Sequence, residues 1–237
     1  MNTDLITLNN PKSPIAEAYR TLRTNIQFSN VDGDLKLLCV TSSGPGEGKT
    51  TTSTNLAETF AQSGNRVLII DGDLRKPRVH KVFNLRNSRG LTNVLSGQNM
   101  IEEVTQFAGS DITVITSGPI PPNPSELLGS QKMKDIMTQL KQLYDVIIID
   151  APPVGVVTDA AILSTIVDGT ILVVASGKTE IDGAKRAKQL LENVGARIIG
   201  VVMTMMPVNK KGYYGYQYYS YYDEEEMVAP KKKLGRR

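Results

Sequence analysis

The feature that most restricts the fold of this chain is the glycine-rich stretch SGPGEGKTT, residues 43–51. The apolar run KLLCVTS precedes it and the helix-forming segment TTSTNLAETFAQ follows it, which is the context of a phosphate-binding loop. Its glycines let successive backbone N–H groups converge on phosphate oxygens beside the positive end of a helix. The loop therefore predicts a binding site for ATP with Mg²⁺, formed by Gly44, Pro45, Gly46, Glu47, Gly48, Lys49, Thr50 and Thr51.

Six short apolar runs indicate the strands of one sheet. They are continuous rather than alternating, which is typical of strands that are buried on both faces of a parallel sheet. Helical segments at 50–63, 124–142, 159–166 and 180–193 lie between most of them. The alternation predicts an α/β fold of the P-loop NTPase type, with a mostly parallel sheet flanked by helices. The predicted strands are 36–42, 66–71, 112–117, 145–150, 170–176 and 197–204.

Acidic residues end two of these strands. Asp150 closes the run YDVIIID, and a carboxylate there is the usual partner of such a loop, binding Mg²⁺ through a water. Asp71 and Asp73 follow RVLII, and in an extended chain this spacing puts both carboxylates on one side. One acid would then order metal or water while the other accepts a proton. The alternative is that both are turn residues.

An amphipathic helix is predicted before the sheet, at 13–28. Ser13 and Pro14 form a typical helix start. An apolar stripe of Ile15, Tyr19, Leu22 and Ile26 follows the helical rhythm, with Glu17, Arg20 and Thr24 opposite and Arg23 on the flank. From these residues alone, the helix docks on the domain and exposes its charged face.

Tyrosine and charge are concentrated at the C-terminal end of the chain. Seven of the nine tyrosines lie between positions 213 and 222. Of the 27 Lys/Arg and 24 Asp/Glu, seven and four respectively lie in 207–237, so the preceding residues carry no net charge. A neutral body argues against nucleic-acid binding. We predict a domain at 1–206 and a disordered, flexible tail at 207–237.

No signal peptide or membrane-length apolar run appears, and the single cysteine, Cys39, lies in an apolar strand. These features predict a cytoplasmic protein. The tail has two further interpretations, a stacking surface for single-stranded nucleic acid or a solubility segment.

Taken together, the phosphate loop, DGDLRKP, IIDAPP and the tyrosine-rich end resemble the bacterial tyrosine kinases (BY-kinases). The resemblance is closest to the CpsD/CapB-type kinases that accompany capsule and exopolysaccharide operons. It runs from about residue 13 to the tail and includes EAYRTLRT (17–24) and SGPIPPNPSELL (117–128). Ser43 departs from the general phosphate-loop pattern G-x-x-x-x-G-K-[ST], and Thr204 departs from the family, whose members often carry an adenine-reading asparagine there.

The resemblance implies specific roles for these residues. The catalytic group would be Lys49, Asp71, Asp73 and Asp150, and the metal group Thr50, Asp71, Asp73 and Asp150. Subunit contacts in a ring would use Glu17, Arg20 and Arg23. Trans-autophosphorylation would occur at Tyr213, Tyr214, Tyr216, Tyr218, Tyr219, Tyr221 and Tyr222.

The same resemblance implies partners. These are other proteins phosphorylated on tyrosine and a membrane-embedded activator that recruits the kinase to the inner face of the membrane and links it to capsule or exopolysaccharide synthesis. The alternative function is a MinD/ParA-like ATPase switch without kinase activity. Gly44 stands where those ATPases carry an additional lysine, which disfavours that alternative.

Overall fold

A computed structural model of the chain describes residues 5–29, 35–109 and 111–207. The tyrosine cluster, and all but the first residue of the predicted tail at 207–237, lie outside the described residues, so the predicted boundary at 206 stays a prediction. The described part contains a seven-stranded sheet in the order β3-β4-β2-β5-β1-β6-β7. Its strands are β1 (Leu37–Ser42), β2 (Val67–Asp71), β3 (Thr105–Phe107), β4 (Ile112–Ile115), β5 (Val146–Asp150), β6 (Gly169–Ala175) and β7 (Ile198–Thr204).

The sheet is parallel except at one edge, which confirms the predicted α/β fold. All neighbouring strands pair in parallel apart from β3 and β4, which pair antiparallel. The central strands β1, β2 and β5 are buried along their whole length, as their continuous apolar sequences predicted. The three-residue β3 was not predicted, because TQF is too short to give a periodic signal.

Helices cover both faces of the sheet. One apolar core packs Ile26, Leu56 and Phe60 against one face, and the other core packs Met133 and Leu191 against the opposite face. No helix in the described ranges has the length and apolar character needed to cross a membrane. The helices are α1 (Ile6–Asn9), α2 (Pro14–Phe28), α3 (Lys49–Gln62), α4 (Val79–Val82), α5 (Leu91–Leu95), α6 (Ile101–Val104), α7 (Pro124–Leu128), α8 (Gln131–Leu143), α9 (Asp159–Ser164) and α10 (Ile181–Asn193).

Helix α2 begins as predicted and covers most of the predicted stripe, with Ile26 buried and Tyr19 and Leu22 partly buried. The Ser13 hydroxyl accepts a hydrogen bond from the Ala16 N–H at 3.1 Å, which caps the helix. Ile15 is 46% exposed, whereas Ala16 is fully buried, so the predicted stripe was wrong at its first position. The sequence shows which residues are apolar, but the direction from which α1 and α3 approach decides which of them are covered.

The three charged residues predicted at subunit contacts make bonds within this chain. Arg20 pairs with Glu17 at 2.8 Å and donates to the Pro11 carbonyl at 2.7 Å. The Arg23 guanidinium donates to the Thr59 carbonyl in the last turn of α3 at 2.7 Å, where a positive charge stabilises the negative end of a helix. Arg23 therefore has a structural role in the subunit, and the predicted role of all three in a ring stays a prediction.

The helix predicted at 124–142 is two helices. It is interrupted at Gly129, and Ser130 then caps α8 by accepting a hydrogen bond from the Met133 N–H at 3.2 Å. Serine competes for backbone hydrogen bonds inside a helix and is favoured at a helix start. The GS pair was therefore the sequence signal for this break.

Candidate active site

The phosphate-binding loop joins β1 to α3 and leaves its backbone donors uncommitted. Gly46 and Gly48 have φ angles of 68° and 89°, in the left-handed region that favours glycine. The first N–H group with a hydrogen-bonding partner in this turn belongs to Thr52, which donates to the Gly48 carbonyl at 2.8 Å. The backbone N–H groups of the four preceding residues have no acceptor among the described residues. These residues are Gly48, Lys49, Thr50 and Thr51. This set of donors fits a polyphosphate.

The back of the loop is held by residues that sequence reasoning did not identify as supports. Lys178 donates to the carbonyls of Pro45 and Gly46 at 3.0 and 2.8 Å. Thr204 donates to the Glu47 carbonyl at 2.6 Å. These residues lie 130 to 160 positions away in the sequence, and no local motif marks them. Thr204, which departs from the family pattern, thus contacts the loop backbone directly.

Glu47 belongs to the loop, but its side chain is directed away from the donors. Its carboxylate accepts hydrogen bonds from the Ser43 hydroxyl at 2.8 Å and the Thr179 hydroxyl at 2.7 Å. The negative charge is buried and hydrogen-bonded behind the loop, and Glu47 can therefore contribute its backbone to the phosphate site. Ser43, which replaces the first glycine of the loop motif, thus supplies one of the two hydroxyl groups that hold Glu47.

Lys49 lies between two carboxylates. Its Nζ is 3.0 Å from Asp73 Oδ2 and 3.6 Å from Asp150 Oδ2. Burial alone lowers the pKa of a lysine, but the charges of Asp150 and Asp73 outweigh it here and raise the pKa of Lys49. The lysine is therefore fully charged at neutral pH, as a group that neutralises phosphate must be.

Asp150 is held by two hydroxyl groups of α3. Thr50 Oγ1 donates to its Oδ2 at 2.7 Å and Ser53 Oγ to its Oδ1 at 3.1 Å. The carboxylate is completely buried, and this burial raises its pKa while Lys49 acts in the opposite direction. Ser53 is a further site contact that sequence reasoning missed, although it follows the loop by one helical turn.

Asp71 and Asp73 are close in the fold but face different partners. Gly72 turns the chain, and its N–H donates to the Asp150 carbonyl at 2.9 Å. Asp71 Oδ2 accepts the backbone N–H groups of Arg78 and Val79, both at 3.0 Å, whereas Asp73 faces Lys49. The two carboxylates have different hydrogen-bonding partners, because strand β2 ends at Asp71 and Gly72 turns the chain, but the charges of both raise the pKa of Lys49. Burial and the nearby Asp150 raise the pKa of Asp71 well above its usual range.

The donor set fits a metal-bound triphosphate. No group of three or more His, Cys, Asp or Glu side chains converges as a metal cage in the ranges the structure describes. Mg²⁺ does not require one, because it is usually held by one or two carboxylates, waters and phosphate oxygens. Asp150 and the Thr50 hydroxyl are in contact at the start of α3 and would hold it, and the metal role of Asp71 and Asp73 stays a prediction.

An ion pair between the partly exposed Arg75 and the buried Asp159 fixes the loop that follows Asp73. The Arg75 guanidinium donates to both oxygens of Asp159, at 2.8 and 3.0 Å, and to the Ser125 hydroxyl at 3.0 Å. Ser125 in turn donates to Asp159 at 2.7 Å. The contact joins the DLRKP loop to the first turns of α7 and α9. It therefore connects the separate segments DLRKP and PSELL beside this site.

Replacing Arg75 by alanine is expected to lower the stability of the protein by about 2 kcal/mol, because Asp159 is completely buried and would lose its cation. In a domain of this size the midpoint of thermal unfolding would fall by about 5 °C. Circular dichroism melting measures this directly.

Arg66→Ala is the matched control. Arg66 also contacts both oxygens of its partner Asp145, at 3.1 and 2.7 Å, but its side chain is 65% exposed, so solvent screens the pair. We expect little change in its melting midpoint. Equal losses in the two variants would contradict a structural role for the Arg75 contact.

Comparison with known proteins gives consistent results. The AAA domain family model matches residues 35–199. Tyrosine-protein kinase YwqD of Bacillus subtilis is 46% identical over 217 residues, which cover 91% of this chain and 92% of the relative.

Two solved structures are similar throughout the domain. The chimerical protein CapA2B2 superposes with a TM-score of 0.84 at 42% identity, covering 86% of this chain and 91% of that one. The kinase domain of the Escherichia coli tyrosine kinase ETK gives a TM-score of 0.82 at 35% identity, covering 84% and 79%. With sequence and fold shared over most of its length and a lysine–carboxylate site at the phosphate loop, the chain belongs to the bacterial protein-tyrosine kinases.

Proposed function

We propose that this kinase uses ATP and Mg²⁺ to phosphorylate the tyrosine cluster of a second copy of the chain, as well as tyrosines of other proteins. The observation that carries the proposal is the position of Lys49, within 3.0 Å of Asp73 and 3.6 Å of Asp150 and beside the free donors of the loop. Bound Mg-ATP would supply the γ-phosphoryl group and its metal.

The residues of the chain divide the work of the transfer. An unperturbed phenol has a pKa of about 10 and is a poor nucleophile at neutral pH until a base takes its proton. We assign that base to Asp73, the acid that faces Lys49. The phenolic oxygen forms a bond to phosphorus, the bond from phosphorus to the β,γ-bridging oxygen breaks, and the proton passes to the carboxylate. Lys49 neutralises the charge that develops on the transferring group.

The tyrosine cluster favours transfer between copies. Seven tyrosines within ten positions offer several acceptors to one site without requiring a single register. Each phosphotyrosine adds about −1.5 to −2 charges near neutral pH, so full modification would reverse the charge of the segment. We propose that the copies form a ring and that this change of charge loosens it.

The proposed setting is the inner face of the membrane. There a membrane-embedded activator would recruit the kinase, and tyrosine phosphorylation would regulate capsule or exopolysaccharide synthesis and export. The family membership supports this setting.

Two variants test the transfer between copies. One carries phenylalanine at all seven clustered tyrosines and keeps its site, and the other is Lys49→Met and keeps its tyrosines. The two variants are incubated with Mg-ATP first separately and then as a mixture. Phosphotyrosine is mapped by mass spectrometry. We expect phosphotyrosine on the Lys49→Met chain only in the mixture.

Other outcomes lead to different conclusions. Modification of the unaltered chain without modification in the mixture would indicate transfer within one chain. ATP hydrolysis by the unaltered chain with no phosphotyrosine would favour the ATPase switch. Removing residues 212–222 should abolish self-phosphorylation and leave nucleotide binding intact.

A further inference from the structure

The segment after Asp73 carries only positive charge. Residues 74–101 contain six basic side chains and no Asp or Glu, although residues 1–206 as a whole are neutral. Like charges in one segment repel each other, and local packing does not require them. The six are Arg75, Lys76, Arg78, Lys81, Arg86 and Arg89.

The fold places this charge at the carboxyl ends of the strands, where the active site lies. The Lys76 N–H donates to Asp73 Oδ1 at 2.9 Å, and the Arg78 N–H to Asp71 Oδ2 at 3.0 Å. Both side chains therefore begin directly at the active-site carboxylates. The carbonyls of Arg86 and Arg89 accept hydrogen bonds from Thr116 Oγ1, at 3.3 and 3.1 Å, just past the end of β4.

Strand β4 is the parallel neighbour of β2, so the two carboxyl ends lie side by side. We call the exposed side chains Lys76, Arg78, Arg86 and Arg89 the basic surface. It extends from the active site across the ends of β2 and β4.

Within the described ranges, most of the charge on this surface has no ion-pair partner. The nearest acids are already used: Asp73 pairs with Lys49, Asp71 accepts backbone N–H groups, and Asp159 pairs with Arg75. Among the described residues, Lys76 and Arg78 form no ion pair. Arg89 does act on Glu103, whose pKa is lowered mainly by its hydrogen bond to the Met100 N–H.

We propose that the basic surface binds acidic residues that follow the accepted tyrosine, and so selects substrates; this rests on the proposed function. The tyrosine cluster carries such residues, since Asp223 to Glu226 follow Tyr222 directly. Four extended residues span about 13 Å. Neighbouring strands are about 4.8 Å apart, so a tyrosine at Asp73 would place these acids over the ends of β2 and β4.

Complementary charge is expected to act on the choice of substrate and on its rate of association. The four acids of a second copy match the four cations of the surface in number. An acidic stretch after the tyrosine would then be a feature of other good substrates as well.

Peptide binding tests this inference without depending on catalysis. The probe is a fluorescent peptide of residues 212–226, and the protein is the full chain carrying Asp223→Asn, Glu224→Gln, Glu225→Gln and Glu226→Gln, so that its own acids do not compete. Lys76→Ala/Arg78→Ala is expected to weaken binding about fivefold or more at low salt, because two of four ionic contacts are lost. A peptide with the four acids neutralised should bind equally weakly to both proteins.

The matched control, Lys36→Ala/Arg197→Ala, removes two exposed basic residues that precede β1 and β7, at the ends of the strands opposite the active site. It should bind the peptide normally. If Lys76→Ala/Arg78→Ala melts at a lower temperature, Lys76→Gln/Arg78→Gln replaces it. Equal affinity of all proteins for the acidic peptide would overturn the inference. The inference would also be overturned if Lys76→Ala/Arg78→Ala weakened binding to phosphatidylserine vesicles but not to the peptide. That result would indicate that the surface binds a membrane. Peptide binding without any phosphotyrosine would instead count against the proposed function.

Discussion

Replacing Lys49 by methionine is expected to reduce phosphotyrosine formation by a factor of about 10²–10³ or more. The Nζ group is the one positive charge within 4.0 Å of Asp73 and Asp150 in the described part of the chain. Methionine keeps much of the length of the side chain but removes the charge that would neutralise the transferring group. Initial rates measured with radiolabelled ATP, with the Tyr→Phe variant of the cluster as negative control for the acceptor, give the size of the loss.

Lys134→Met, at an exposed position on α8, is the control for the loss of a lysine charge. This variant should keep its full rate. Lys49→Met leaves Asp150 without its cation, but the Thr50 and Ser53 hydroxyls still hold that carboxylate, so we expect the fold to persist in circular dichroism. A folded Lys49→Met protein that phosphorylates at the normal rate would remove the basis of the proposed site.

Replacing Asp73 by asparagine is expected to lower the rate of transfer by a factor of about 10²–10⁴, the usual contribution of a general base. Asparagine keeps one oxygen to accept the Lys76 N–H, replaces the oxygen that accepts from Lys49 Nζ by an NH2 group, and cannot accept the phenolic proton. Loss of the negative charge also frees Lys49 for phosphate. Nucleotide affinity, measured by isothermal titration, should therefore stay equal or increase while kcat falls.

Asp71→Asn distinguishes the two acids, and Asp182→Asn on the exposed face of α10 controls for the chemical change. Asp71 Oδ2 accepts two backbone N–H groups at the start of α4, so its replacement should lower the unfolding midpoint as well as the rate. Asp73→Asn should lower the rate with little change in unfolding. If Asp71→Asn abolishes transfer at an unchanged melting midpoint while Asp73→Asn stays active, the base is Asp71.

The central elements could be predicted from sequence because their signals are local. β1, β2 and β5 are continuous apolar runs, and the loop before α3 has a fixed glycine, lysine and threonine spacing. The short helices at 79–82, 91–95 and 101–104 were not predicted, since four or five residues show no helical period. The exposure of Ile15 at the start of the α2 stripe has a different cause, because neighbouring elements decide which residues of a helix are buried.

The sequence by itself determined the chemistry available to this protein: a phosphate loop, three acids at strand ends, a cluster of tyrosines and an acidic stretch after it. Only the tertiary structure decided that Asp73 rather than Asp71 faces Lys49. It also decided that Lys178 and Thr204 support the loop, and that Arg75 pairs with Asp159 while Lys76 and Arg78 form no ion pair with any residue the structure describes. The physical reason is that ionic and hydrogen-bonding partners are set by distance in space. Parallel strands joined by long crossovers bring together residues that lie more than one hundred positions apart in the chain.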